Sequence, residues 1–529
     1  GLPQDFIRAN PSTPCHLCTI PPTNDNAKKN ANIVTILEQN ARQFPEKIAM
    51  IEGEMSVTYR EFLTNIQRRA AWFSERGIVR GDGVLIVVPM SITLYEILIA
   101  LFWIGAVAVF LDAWSNRSRL ELARNAFPIK GFIGVGRAHL LRLISPALRS
   151  IPLKFWVDTP GRWNESLGTP VQVMPDDPAL ITFTTGSTGK PKGANRTHGF
   201  LLAQHQAILN HFAPQVDDID MPTLPIFPLS NIALGSTTFL PPVNFRDITN
   251  FKPDVLLREA TRRHITTTAG SPAFFLRLAT YLIERDQTFS HLREILVGGA
   301  PVFPRTARTL RRAFPDTEIT IVYGSTEAEP ISMISVDSLL TQAKSRHDAL
   351  PVGKPVESIE IIIASIDESN LSPLPTGEVG EICVSGKHVL QEYIGDPSEW
   401  SDKMVVVEGK RWLRTGDAGC VDHEGSLYLL GRVGKSWIRS GERHFVMPVE
   451  LALDEIPGVA IGTILEVEGE TILLIERENN MVTTEVKIRE AVRDREISFD
   501  RIEFIQRIPR DPRHASKIDY EKLREALSM

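Results

Sequence analysis

The sequence predicts an α/β protein: a large layered unit of mixed and parallel sheets with helices, followed by a small α+β unit. Three observations carry this expectation. The 529 residues suffice for several domains, or for one large domain with an appendage. Over most of the chain, short apolar strands alternate with helix-like runs, the pattern of sheets layered with helices. Toward the end, two more apolar strand-like runs and two charged helical runs remain, enough for a small separate sheet.

In order, residues 1–30 are polar and rich in Pro and Asn, and read as a loosely ordered leader. Residues 32–44 have helical periodicity. Residues 49–53 and 56–59 read as a hairpin, and 59–76 as an amphipathic helix. The most apolar segment, 84–114, is long enough to raise the question of a membrane span. Pro89, Glu96 and Asp112 interrupt it, so it divides into a strand (83–89), a helix (92–104) and a strand (106–111), a buried βαβ unit. Strand-like runs follow at 132–135, 154–158 and 179–183, then a helix-like run at 200–208. Residues 223–235, read from their residues alone, form a buried strand and turn. Residues 266–272 end a strand and open an apolar helix at 273–283, whose Phe274 and Phe275 read as core. The runs 295–301 and 319–330 each carry a strand into a glycine-containing turn. A turn and strand at 375–382, a Thr-Gly turn before Asp417 and a strand at 427–432 follow. The last part holds strands at 460–466 and 471–475, a charged helix at 484–495 and a final helix.

One stretch, 182–193, organises the chain. Gly186, Gly189 and Gly193 permit close approach and positive φ, so successive backbone N–H groups converge on an anion. Thr185, Ser187 and Thr188 add donors; Lys190 and Lys192 add charge. The physical reading is a polyphosphate cradle. It is not a Walker A loop: counted from Gly186, the second required glycine falls on Pro191. A polar surface turn is the plain alternative. The two lysines, the proline between them and the preceding strand argue against it.

From Thr184 to Gly193 this stretch resembles throughout the signature loop of the adenylate-forming (AMP-binding) enzymes: acyl-CoA synthetases, luciferases, non-ribosomal adenylation domains and their relatives. Four later phrases extend the resemblance. Gly298, Gly299, Ala300 and Pro301 end a strand; by resemblance Gly299 to Pro301 wall the adenine pocket, with Gly298 beside the substrate. Tyr323, Gly324, Ser325, Thr326 and Glu327 match Tyr-Gly-x-Thr-Glu in full. Tyr323 offers a face to a purine, Thr326 a hydroxyl to a phosphate oxygen, and Glu327 a hard carboxylate ligand to Mg²⁺. Asp417 would take the ribose hydroxyls, and Arg432 the ribose or phosphate. Lys517 aligns with the family's catalytic lysine. The resemblance implies a large domain over 31–432 and a small mobile cap over 433–529, with ATP and Mg²⁺ as cofactors.

Within the family the closest likeness is to the β-lactone synthetase branch of long-chain olefin biosynthesis. Ser230 and Asn231 stand where many CoA ligases carry histidine in a Pro-Leu-Phe-His phrase; Phe227, Ser230 and Asn231 are the implied substrate contacts. The Ala-x-Pro after Glu327, Gly434 in place of the usual hinge Asp or Lys, a longer loop to Pro448 and Glu450, and Arg513-His514 before Lys517 point the same way. The implied reaction is carboxylate activation as acyl-AMP, then attack by the substrate's own β-hydroxyl. An acid–CoA ligase and a non-catalytic nucleotide-binding protein are the alternatives. His198 and His205 read as structural.

A net charge of −6 and the lack of a basic block argue against nucleic acid as partner; a small carboxylic acid is expected instead. The olefin-pathway likeness adds the expectation of a complex with neighbouring pathway enzymes. Of four cysteines, Cys15 and Cys18 form a lone C-x-x-C without further ligands and read as inert thiols. No charged and apolar leader opens the sequence, so a cytoplasmic location without an integral membrane segment is expected.

Overall fold

The computed structural model describes residues 31–527, apart from 112–120, 122, 125, 158–167, 186–190, 213, 246, 347, 368–370, 396–399, 479–483, 494, 496 and 512–515. The leader, Cys15 and Cys18, five residues of the signature loop (Gly186 to Lys190), and Arg513 and His514 lie outside the described residues.

The expected βαβ unit forms from Gly83–Val87, Ile92–Trp103 and Val107–Phe110, its two strands pairing in parallel. Ser91 caps the helix by accepting from the Leu94 amide. The helix is buried almost all round, which is why its sequence resembles a membrane span. Its one carboxylate, Glu96, is met inside by Arg69 at 2.8 Å and Asn65 at 2.8 Å. No helix among the described residues is long and apolar enough to cross a membrane. The preceding helix, Tyr59–Glu75, starts at a capping box between Thr58 and Glu61 and buries Tyr59, Phe62, Ile66, Ala70 and Phe73.

Seven described strands form one sheet: Tyr393–Ile394, Pro191–Thr197, Pro178–Thr185, Val107–Phe110, Gly83–Val87, Ile129–Gly134 and Leu153–Trp156. From Pro178–Thr185 to Leu153–Trp156 the pairing is parallel. A fourteen-stranded sheet holds the rest of the large unit, parallel through Thr267–Gly270, Glu294–Gly298 and Glu318–Ser325, and antiparallel beyond. The mixed and parallel layers are those expected.

Three local readings need correction. Residues 223–235 are not a strand and turn: Ile226–Leu234 is a helix. Pro225 is its cap and Pro228 lies in its first turn, where a missing N–H costs no helical bond, and Gly235 closes it at φ +89°. The helix expected at 200–208 forms as His198–Phe212, but between it and the strand Pro178–Thr185 stands a second, antiparallel strand that the sequence does not predict, with Phe183 opposite Gly193. The second strand, Pro191–Thr197, is polar and lacks alternation, so its sequence gives no strand signal. Asp417 does not follow a turn; it lies inside the strand Lys410–Val421, kinked where Gly416 takes φ +75°.

The C-terminal part forms a separate three-stranded sheet from Val459–Val467, Glu470–Arg477 and Arg501–Ile505, with helices Val446–Asp454, Glu485–Arg493 and Tyr520–Leu527. The helix Val446–Asp454 packs both ways: Met447 and Leu451 join the core beneath the large sheet, whereas Val449 and Leu453 join the core of the small one.

Candidate functional site

A cavity of about 1860 Å³ lies between the strand ends of the large sheet and residues 507–521. Gly299 to Pro301, Tyr323 to Glu327, Asp417, Arg432 and Lys517 line it, whereas residues 223–235 do not. Gly299, Ala300 and Pro301 line it just after the strand Glu294–Gly298, where Gly299 turns the chain at φ +87°. Tyr323 to Glu327 line it at the end of the neighbouring strand.

Asp417 and Arg432 face each other across paired strands. Arg432 Nη1 donates to Asp417 Oδ1 at 2.8 Å and to the Thr415 carbonyl at 3.1 Å. The Tyr323 hydroxyl donates to Asp417 Oδ2 at 2.8 Å. One carboxylate thus collects donors from two other strands. Asp417 raises the affinity of Arg432 for its proton, and burial followed by Asp417 pushes the Tyr323 phenol well above its ordinary value. A side chain at Gly416 would come within 3.0 Å of Arg432 Nη2, on a backbone already at positive φ.

The Glu327 carboxylate accepts from the Tyr393 hydroxyl at 2.9 Å. Among the described residues no group of three or more His, Cys, Asp or Glu side chains could hold a metal. One oriented carboxylate on a cavity wall suits Mg²⁺, which commonly takes one or two protein carboxylates and completes its shell with phosphate oxygens and water.

Lys517 lines the same cavity from the C-terminal side. The Asp511 amide donates to the Lys517 carbonyl at 2.8 Å, and Arg510 pairs with Ile518 in an antiparallel bridge. Across the seam, the Ala273 amide donates to Ser516 Oγ at 3.0 Å, tying Ser516 to the helix Pro272–Arg285.

The remaining sequence candidates fall elsewhere. Lys192 is buried, with its ammonium 5.8 Å from the Tyr393 ring, so it sits behind the aromatic that holds Glu327. Gly193 packs against Phe183 and Ile394, and Thr185 ends its strand. Phe227, Ser230, Asn231 and Gly298 are not among the cavity's lining residues. Asn231 donates to Asp220 at 2.7 Å and Thr238 at 3.2 Å; Ser230 Oγ lies 2.9 Å from His205 Nδ1. Phe227, Ser230 and Asn231 are buried on the helix Ile226–Leu234, and Gly298 ends the strand Glu294–Gly298. His198 and His205 are buried, which pushes both imidazoles down to about 4.

Sequence reasoning missed Tyr393, Arg196 and Glu329. Arg196 Nη2 donates to the Thr326 carbonyl at 3.0 Å from a position only 7% exposed. Burial pushes the Glu329 carboxyl up, opposed by Arg196 and Lys517. An arginine and a glutamate beside matched motifs were the available signal; Tyr393 had none.

The family described as AMP-binding enzyme matches residues 37–394. An olefin beta-lactone synthetase from Stenotrophomonas maltophilia (strain K279a) is 28% identical over 93% of this chain and 97% of its own. A 4-coumarate–CoA ligase 2 from Nicotiana tabacum is 24% identical, covering 93% of each chain. Among solved structures, the amide bond synthetase McbA from Marinactinospora thermotolerans superposes with a TM-score of 0.80 at 23% identity, over 93% of this chain and 99% of its own. ATP-bound MatB from Rhodopseudomonas palustris also gives 0.80, at 20% identity over 94% and 99%. These likenesses to solved structures establish a shared fold.

Proposed function

This chain belongs to the AMP-binding enzyme family, the adenylate-forming enzymes, and on that premise we propose that it is a β-lactone synthetase acting on a 3-hydroxy, in particular a 2-alkyl-3-hydroxy, fatty acid. In the first half-reaction a carboxylate oxygen attacks the α-phosphorus of ATP, the bond to the β-phosphate oxygen breaks, and acyl-AMP and pyrophosphate result. Charge develops on the α-phosphoryl oxygens, so positioning and electrostatics carry the rate. Thr326 and Lys517 take that group. Thr185 to Gly193 hold the outer phosphates. Tyr323 and Gly299 to Pro301 enclose the adenine, while Asp417, gripped by Arg432, takes the ribose hydroxyls. Glu327, oriented by Tyr393, would hold Mg²⁺, which neutralises phosphate charge when bound.

In the second half-reaction the β-hydroxyl oxygen attacks the acyl carbon, its proton leaves, and the bond to AMP breaks to give a four-membered lactone. An internal nucleophile needs no thiol tunnel, only exclusion of water. The 433–529 segment is proposed as the cap that provides this. Its pivot is Gly434, where an added Cβ would meet nothing within 4 Å.

One observation carries the reading. Tyr323, Thr326, Glu327, Asp417, Arg432 and Lys517, spread over nearly two hundred residues, surround one cavity. The likeness to olefin beta-lactone synthetases supports the lactone branch. The test is incubation with ATP, Mg²⁺ and a 2-alkyl-3-hydroxy fatty acid, with and without CoA. Lactone without CoA is expected. The likeness to 4-coumarate–CoA ligase supports a second reading, an acid–CoA ligase; thioester formed only with CoA would establish it in place of the first.

A further inference from the structure

The helix Pro304–Ala313 starts shortly after Gly299 to Pro301, and its own N-cap residue, Phe303, gives it no side-chain cap. The C-terminal unit supplies one. The Arg305 amide, a donor of the first turn without an intrahelical partner, donates to Asp454 Oδ2 at 3.0 Å. The Arg305 side chain reaches the same way. Its Nη1 donates to the Val459 carbonyl at 2.7 Å and to Glu478 Oε1 at 3.0 Å, and its Nη2 to the Ala460 carbonyl at 2.9 Å. All four acceptor residues belong to the C-terminal unit. Arg305 lines the cavity, yet its guanidinium is committed to that unit.

From this grip a continuous set of contacts runs to Lys517. Val459 and Arg477 lie opposite each other in the antiparallel pair Val459–Val467 and Glu470–Arg477, and the Glu478 amide donates to the Gly458 carbonyl at 3.0 Å. Arg305 therefore holds both chains at the open end of one hairpin. On the second strand, Glu476 holds the segment that leads to the lysine. Its Oε2 accepts from the Ile508 amide at 2.8 Å, and its Oε1 from Arg510 Nη2 at 2.7 Å. Arg510 in turn pairs with Ile518, and the Asp511 amide donates to the Lys517 carbonyl at 2.8 Å. Contiguous hydrogen-bonded elements of this kind pass a displacement at one end to the other. An ammonium on a long flexible stem depends on such placement of its backbone.

We propose that Arg305 is a positioning residue: by gripping the open end of this hairpin it sets Lys517 against the cavity. The inference rests on the adenylating reading, in which Lys517 stabilises the α-phosphoryl group. It is the same whether the second step gives a lactone or a thioester. A neighbouring pair sharpens it. Arg308 Nη2 also crosses the seam, to both oxygens of Glu455 at 2.9 and 2.8 Å, but that pair is exposed and has no place on the path to Lys517.

The experiment is a double-mutant cycle read by ATP-dependent pyrophosphate release, starting with a 2-alkyl-3-hydroxy fatty acid. Arg305→Ala should lower kcat by about 10²-fold, the cost of a group misplaced by about 1 Å. KM for ATP should stay within about twofold of wild type, because the misplaced group is used in the transition state. In a Lys517→Ala background the same substitution should cost less than about threefold, because the group it positions is gone. Arg305→Lys keeps the charge without the planar fork and should recover only part of the rate. Arg308→Ala should stay within about twofold of wild type. Glu478→Gln cuts the grip from the other side of the seam. It should give a smaller loss with the same dependence on Lys517, and it reads the contact should Arg305→Ala not fold. Equal proportional losses with and without Lys517 overturn the proposal, as does a wild-type rate in Arg305→Ala or an equal loss in Arg308→Ala. In an active wild type those results remove this inference alone. A wild type that releases no pyrophosphate with any acid removes the adenylating reading, and the inference with it.

Discussion

Asp417 and Asp220 are each held by two side-chain donors, and they sit in opposite environments. Asp417 takes Tyr323 and the guanidinium of Arg432 at the edge of a large cavity. Asp220 takes the neutral Asn231 and Thr267 inside the core, and burial pushes its carboxyl up to about 6. Both neighbourhoods carry family-like phrases. What separates them is a full positive charge and open space at one, and neither at the other. A polar constellation without either is a packing device, here one that orients the helix Ile226–Leu234 against its sheet.

The contrast breaks most visibly at the cavity. Lys517→Ala should reduce pyrophosphate release by about 10²–10³-fold, the cost of removing one donor from a developing charge, with the unfolding midpoint unchanged. Near-normal release would remove Lys517 from the site. In the core the expected effect is on stability. Asp220 binds its proton more tightly folded than unfolded. Its contribution is therefore complete below the ordinary carboxylate value of 3.8 and is lost as pH rises through about 6. Denaturant melts should lose on the order of 3 kcal/mol over that window. Asp220→Asn should remove that part of the slope, leaving a similar limb from Glu294, which burial pushes up to about 7. An identical slope in the variant would mean that Asp220 is not the titrating group.

Asn231→Ala should cost about 1–3 kcal/mol, because it strips a buried carboxylate of a donor, while KM for the acid stays unchanged. A raised KM would return Asn231 to the substrate side and undo the distinction drawn between the two regions. The smallest effect is expected for Tyr323→Phe. Losing one hydrogen bond to Asp417, worth about 1 kcal/mol, should raise KM for ATP roughly fivefold, with the ring still in place.

Much of the cavity was readable because its parts are local. A strand that ends in a glycine-containing turn, followed by residues with one chemical task, needs little from the rest of the chain; 299–301 and 323–327 are of this kind. The segment 226–234 was misread because prolines 225 and 228 suggest a break, yet both fall where a helix tolerates them. The strand 191–197 was missed because it is polar, and its pairing with Phe183 and Ile394 is what makes it a strand. Asp417 was placed after a turn because Thr415 and Gly416 look like one. Cross-strand pairing with Arg432 keeps the chain extended through a positive-φ glycine.

By itself, the sequence determined the layered α/β class, the βαβ unit that mimics a membrane span, and the family to which the chain belongs. Each is written in short-range periodicity or in contiguous motifs. Only the tertiary structure decided that Lys517 and Thr326 line one cavity, that Tyr393 orients Glu327, and that Arg196 holds the Thr326 carbonyl. Those relations join strands and loops far apart in the chain, and burial and pairing, which set each group's charge and partners, exist only once the sheets have assembled.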